Sequence, residues 1–224
     1  MTKRDRQGYW IEHNVLRQRE CDSLIEHLGH RDRAHGKAGK RNLLRDSSVF
    51  AIATNPRLLQ IASVALRRPG VPFRATLFDK SADANWSVRW HQDAVLPLAS
   101  RFESSEWGPW SRKAGVLFAR APAWALSRVV ALRIHLESST LENGPLRVIS
   151  GSHLLGVLTS DEVSRIVRER KYVECAVPSG GVLAMRPLLI HSSPRAFTKA
   201  ARRVVHIEYA DSLRLAEDIC LAAA

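Results

Sequence analysis

The chain has 224 residues, 45% hydrophobic and 25% charged, with a formal charge of +12 and three cysteines. That length suits one domain able to bury a full core without disulfides or a structural metal, and the composition excludes a disordered chain. Cys21, Cys175 and Cys220 form no CxxC pair, which excludes a zinc knuckle or a disulfide framework; no stretch reaches the ~18 to 20 apolar residues of a membrane span, and the N-terminus has no apolar signal segment, so reduced thiols in a cytoplasmic protein are expected.

In chain order, Leu16, Leu24, Ile25 and Leu28 lie at helical spacing and predict a helix over 15–29, ended by Gly29. A basic, Gly-containing loop follows. Asn55 as N-cap, Pro56 in the first turn and an apolar run to Leu66 predict a second helix over 56–67, stopped by Pro69-Gly70. From there the texture is of short strands: 73–78, 86–91, 129–136, 146–149, 171–177, 182–185, 188–191 and 203–209, separated by Gly- and Pro-containing turns. One further helix is expected over 160–170, because Thr159 and Glu162 make a capping box ahead of Val163, Ile166 and Val167. Strands of this length after two helices predict a mainly β fold with flanking helices. Its core would be a double-sheet jelly roll over residues 71–210, behind a helical N-terminal part over 1–70.

The segment Trp90-His91-Gln92-Asp93 carries the chemistry. On an extended strand, residues two apart share a face, so His91 and Asp93 present an imidazole and a carboxylate together. With a second histidine they would form the two-His, one-carboxylate set of non-haem Fe(II) oxygenases, which leaves coordination positions open for a 2-oxoacid and dioxygen. H-x-D alone is a weak signal. It is strengthened by His191 at the end of a strand and by Arg202 eleven residues later, whose guanidinium could grip the distal carboxylate of a dicarboxylate, with Ser193 donating to the same group. Arg203 competes with Arg202, but neighbours on a strand face opposite ways, so only one can point inward.

HQD at 91–93, the run Asn143-Gly144-Pro145-Leu146 through Gly151-Ser152-His153, and His191-Ser192-Ser193 followed by Arg202 resemble the phytanoyl-CoA dioxygenase-like family. The resemblance covers roughly residues 70–210, and the 143–153 block is its most specific part. It implies a double-stranded β-helix (cupin-like) core, Fe(II) and 2-oxoglutarate as cofactor and co-substrate, and hydroxylation of an unactivated C–H bond. Position by position it implies His91, Asp93 and His191 as iron ligands and Arg202 and Ser193 on the distal carboxylate. Thr76 and Arg133 would line the co-substrate pocket, and Trp90 and Gln92 would border the substrate. Ser150 stands where the family usually has Pro, and Ser192 where it often has Gly. The carboxylate of Asp93, absent from related halogenases, favours hydroxylation or another oxidation.

His153 is expected to shape its loop, and His135 and His206 to be interior histidines. Trp107, Trp110 and Trp124 either wall the substrate or cover the mouth of the core, and Arg41 and His35 belong to a solvated loop. The positive charge is read as a solvated surface, although an anionic or carrier-bound small molecule, or nucleic acid, would be drawn to it. A nucleic-acid demethylase of the same fold and a non-enzymatic β-roll binding module are the rival readings.

Overall fold

A computed structural model of the chain describes residues 1–29, 40–81 and 84–223. The elements begin with α1 (Lys3–Gln7), β1 (Tyr9–Glu12), α2 (Gln18–Gly29), α3 (Ser47–Ala53) and α4 (Pro56–Leu66). Strands β2 (Val71–Lys80), β3 (Val88–His91), β4 (Val95–Leu98), β5 (Trp110–Lys113) and β6 (Val116–Arg120) lead to α5 (Ala123–Ser127). Then come β7 (Val129–His135), β8 (Leu146–Val148), α6 (Ser160–Glu169), β9 (Val173–Cys175), β10 (Val182–Met185), β11 (His191–Ser193) and β12 (Arg202–Ala210). A short pair, β13 (Arg214–Ala216) and β14 (Ile219–Cys220), ends the series.

Five strands form an antiparallel sheet in the order β1-β10-β7-β12-β2, and four form a second in the order β3-β11-β8-β9. Ala131, Leu183 and Met185 of the first sheet share one buried cluster with Leu146, Val148 and Cys175 of the second, so the two sheets pack face to face. This is the expected jelly roll, built as two separate sheets and not as one closed barrel.

Strand alternation decides what each face of the larger sheet does. On the outer face, Ala75, Leu77, Leu132, Ile134, Val205, Ile207 and Tyr209 pack against Leu24 and Leu28 of α2, Val49 of α3, and Leu58 and Ala62 of α4. Each such large side chain contributes on the order of 1.5–3 kcal/mol of apolar burial. On the inner face the same strands carry Arg74, Thr76, Phe78 and Lys80 on β2, Arg133 and His135 on β7, and Arg202, Val204, His206 and Glu208 on β12. One face is thus a hydrophobic core and the other a polar floor.

The helices start where side chains cap them. Asn55 accepts from the Arg57 N–H at 2.9 Å ahead of Pro56, and α4 ends at Arg67, left-handed at φ 58°. The first predicted helix begins later than its spacing suggests. The N–H groups of Val15 and Leu16 both bond the Gly180 carbonyl at 2.9 Å, which holds those residues outside α2. The predicted strand over 188–191 is shifted in the structure, since Leu189 N–H closes a turn onto Arg186 and the strand runs from His191 to Ser193. A buried apolar run looks the same whether it is turn or strand. Reading by pattern also missed α1, β1, α3 and a third sheet, β4-β6-β5.

Trp107 and Trp110 belong to that third sheet's apolar cluster with Phe102, and Trp124 stacks on Trp107 at 6.0 Å. Trp107 and Trp110 pack there with Phe73 of β2, Val129 of β7 and Ala210 of β12, Trp124 is exposed, and none of the three lines the cavity described below. Among the described residues, no single helix is long and apolar enough to cross a membrane.

Helix α6 opens on the predicted box, with Thr159 Oγ accepting from the Glu162 N–H and Glu162 accepting from the Thr159 N–H at 2.7 Å. Replacing Thr159 with Ala is expected to cost ~1 kcal/mol, read as a lower urea midpoint with unchanged slope. No change would mean that the cap contributes nothing to the fold.

Candidate metal centre and the polar cavity

Strands β3 and β11 pair with His91 directly opposite His191. Asp93 lies just beyond β3, and its N–H donates to the Pro187 carbonyl at 2.9 Å. The carboxylate turns back between the two rings, with Oδ1 3.5 Å from His91 Nε2 and Oδ2 3.5 Å from His191 Nε2. One ligand atom from each residue lies within 4.8 Å of the other two.

Both imidazoles have a fixed tautomer. His91 Nδ1 is 2.8 Å from the Arg89 carbonyl and His191 Nδ1 is 2.8 Å from the Leu189 carbonyl. A carbonyl only accepts, so Nδ1 carries the proton on each ring and Nε2 offers its lone pair toward Asp93, the arrangement that metal-binding histidines use. The site is open on one side, because His191 is buried while the His91 and Asp93 side chains are 38% and 32% exposed.

Burial works to raise the Asp93 carboxyl, but His191 and His91 outweigh it and hold the group well below the usual carboxylate range. Burial pushes His191 down to about 4. His91 is raised above its ordinary value by its hydrogen bond and charge interaction with Asp93, against the pull of burial. A carboxylate that stays ionised between two imidazoles suits a first-row divalent ion.

Gln92, between the two ligands, points the other way. Its amide nitrogen donates to the Gly156 and Leu188 carbonyls at 2.9 and 2.7 Å, and its oxygen accepts from the Leu158 N–H at 2.8 Å. Trp90 faces α6, packing on Tyr172 at 5.7 Å and on the cluster of Ile149, Val163, Ile166 and Ile190. The expectation that Trp90 and Gln92 border the substrate is therefore corrected. Both face away from the cavity, because β3 turns its alternate residues outward and those two hold the outer loops and helix.

A cavity of about 300 Å³ lies in front of the three ligands, between them and the polar floor. Arg202 reaches its end, 2% exposed, with Nη2 3.4 Å from Ser193 Oγ and with Nε and Nη1 lacking any acceptor among the described residues. Arg133 Nη1 donates to His206 Nδ1 at 3.2 Å, and Thr76 is the register partner of His206 on β2. Arg202, Ser193, Arg133 and Thr76 are thus brought together along one wall. Arg203 takes the opposite side, paired with Asp79 at 3.4 Å and Glu137 at 3.2 Å.

Ser193 lines the cavity beside Arg202, and its hydroxyl donates to the Gly144 carbonyl at 3.0 Å and accepts from Lys80 at 2.9 Å. Unpartnered, buried guanidinium N–H groups facing a cavity are the donors a carboxylate fits.

His206 lines the cavity and is not merely interior, as does the ion pair of Glu208 with Arg74 at 3.1 Å. Neither this pair nor Lys80 was singled out in the sequence. Strand parity with Thr76 and Arg202 would have found all of them. His135, with Nδ1 2.9 Å from Ser139 Oγ, is interior, and His153 joins its loop to α1 through the Asp5 carbonyl at 3.0 Å. Arg41 lines the cavity mouth, and His35 lies outside the described residues.

The family model described as phytanoyl-CoA dioxygenase (PhyH) matches residues 4–204. No curated protein matches the sequence. Among solved structures, AviO1 from Streptomyces viridochromogenes is similar at 22% identity, covering 93% of this chain and 91% of that one with a TM-score of 0.67. The epimerase SnoN in complex with Fe3+, alpha-ketoglutarate and nogalamycin RO is similar at 18% identity, 94% and 82% coverage and a TM-score of 0.71. HygX from Streptomyces hygroscopicus, with nickel and 2-oxoglutarate bound, is similar at 20% identity, 94% and 86% coverage and a TM-score of 0.64. At these identities the three likenesses show the fold.

The buried histidines set an acid limit on stability. Burial lowers His191 to about 4 and His206 to about 3, and also depresses His135. In the unfolded chain all three take up protons near their ordinary value, so stability falls as pH drops below ~6.5, by ~1.4 kcal/mol per pH unit for each. Glu208, raised to about 7 by burial, keeps a proton in the folded chain that the unfolded chain has released, and so offsets one histidine. The net expectation is a loss of ~3 kcal/mol per pH unit between pH ~6.5 and ~5. Urea denaturation in the presence of a chelator measures it, and a flat profile would contradict the buried, neutral imidazoles.

Proposed function

The chain belongs to the phytanoyl-CoA dioxygenase family, and from that premise we propose that it is an Fe(II)- and 2-oxoglutarate-dependent dioxygenase that hydroxylates an unactivated C–H bond of a small-molecule substrate. The observation that carries this reading is a single cavity with three convergent ligand atoms on one wall and the unpartnered guanidinium of Arg202 at its end. SnoN and HygX, which hold a metal together with the same oxoacid, support it.

His91 and His191 would hold the iron through Nε2 and Asp93 through its carboxylate. When bound, the iron and 2-oxoglutarate supply oxidation of the substrate by dioxygen, coupled to release of succinate and CO2.

The chain's own contribution is positional. Arg89 and Leu189 carbonyls hold the Nδ1 proton of each ring, so each imidazole, once neutral, presents Nε2 to the metal. Arg202 offers two N–H groups to the distal carboxylate, a charge-assisted pair in a buried setting. Arg133 lies along the same wall and offsets the charge of Asp93, while His206, accepting from Arg133 on Nδ1, is held neutral. Thr76 completes that row. Phe78, Trp86 and Arg41 shape the mouth by which a substrate would approach, and the Arg74–Glu208 pair presents hydrogen-bonding groups inside it.

The test is anaerobic loading with Fe(II) followed by a succinate-release screen over amino acids, free acids and carrier-bound acyl groups. Asp93→Ala and His191→Ala are expected to abolish succinate formation and iron retention. Arg202→Met is expected to raise the KM for 2-oxoglutarate by roughly 10- to 100-fold with a smaller change in kcat. Undiminished succinate formation by Asp93→Ala would sink the scheme.

A further inference from the structure

Lys80 and Arg202 are direct register partners on neighbouring strands, and both are almost wholly buried, at 1% and 2% exposure. Like charges set opposite each other across a sheet repel, and a buried charge without a counter-ion is costly. Among the described residues, neither forms an ion pair with a carboxylate. The acids nearest along these strands, Asp79 and Glu137, lie on the other face and are held by Arg203.

What faces the Lys80 ammonium is cationic or neutral. Arg202 approaches from β12 and Arg133 from β7. Ser193 Oγ and the Pro194 carbonyl, from β11 and the turn after it, accept its hydrogen bonds. The Trp86 ring lies 5.9 Å away, and Gly144 presents backbone only.

Two cations thus meet on one hydroxyl. Ser193 Oγ accepts from Lys80 at 2.9 Å and from Arg202 at 3.4 Å while donating to Gly144. Lys80 is not on the cavity wall itself. It reaches the anchor through Ser193 and through the field it shares with Arg202.

Resting on the functional reading above, we propose that Lys80 is a positioning residue of the co-substrate anchor that takes up a proton from solvent when the distal carboxylate of 2-oxoglutarate docks on Arg202. The carboxylate supplies the counter-charge that the pair of cations lacks, so its arrival stabilises the ammonium. Burial, and after it Arg202 and Arg133, hold Lys80 down to about 7. The sign of the coupling follows. Below pH ~7 the ammonium is present before and after binding, and affinity is independent of its titration. Above that, each binding event carries a proton in, and affinity weakens as pH rises, by up to ~10-fold per pH unit until the bound form also titrates.

The experiment is calorimetric titration of the Fe(II)-loaded protein with 2-oxoglutarate, without oxygen, from pH ~6 to ~9 in buffers of different ionisation enthalpy. The expected result is a Kd that rises ~10-fold or more between pH ~7 and ~8.5, with proton uptake approaching one per site. 2-Oxopentanoate, which keeps the metal-binding end and lacks the distal carboxylate, should bind weakly without that uptake. This arm subtracts any titration of the metal ligands and needs no variant. Lys80→Met should bind 2-oxoglutarate more weakly at pH ~6.5 and lose the pH dependence, and Lys80→Arg should bind it without pH dependence. Proton uptake that persists in Lys80→Met, or that is equal for 2-oxopentanoate, would overturn the proposal alone. No binding of 2-oxoglutarate at any pH would overturn the functional reading and this proposal with it.

Discussion

The antiparallel pairing of β3 with β11 is the contact on which the site depends. It sets His91 against His191, a hundred residues apart in the chain, at a ring separation of 4.2 Å. Two imidazoles at that distance repel if both are protonated, and Asp93 resolves the conflict by placing its charge between them. The strands themselves are short, so their register is held from outside, through Gln92, the Pro187 carbonyl and the packing of Trp90 and Ile190 on α6. Ligand geometry is therefore a property of the whole smaller sheet.

The larger sheet solves a different problem. Its outer face joins the helices in a conventional apolar core, which leaves the inner face free to carry arginines, a lysine and histidines at a cost the core can bear. Buried cations without carboxylates are unfavourable in the protein alone. They make sense as one half of a pair whose other half is brought in from solution. Stability and binding are thus written on opposite faces of the same strands.

Much of this was legible in the residues. The HQD segment, His191 and Arg202 were identifiable because each has a local signature: a histidine and carboxylate two apart, and a guanidinium at a fixed offset from a histidine. The capped helices α4 and α6 were legible for the same reason, since Asn55-Pro56 and Thr159-x-x-Glu162 act over a few residues. The cavity's other members were not. His206 and Glu208 have no signature beyond their parity with Arg202, and Lys80, behind the wall, gains its significance only from the pairing of β2 with β12, a register no local pattern states. Trp90 and Gln92 misled because adjacency to ligands in sequence means opposition in space on a strand. The third sheet escaped because its Trp-rich stretch alternates poorly and is set by tertiary packing.

The outward clamp of Gln92 has a bearing on how this scaffold can change. One amide bonds three backbone groups, at positions 156, 158 and 188, while its two neighbours hold the ligand atoms. An insertion or deletion in either of those outer loops would pull on the metal centre as a lever pulls on its pivot. The β4-β6-β5 sheet is tied to the same rim, since β4 begins two residues after Asp93 and Arg120 of β6 donates to the Leu158 carbonyl at 2.7 Å. Length can change at lower cost along the β5 edge of that sheet, which pairs with β6 alone and lies farthest from the strand that leaves Asp93.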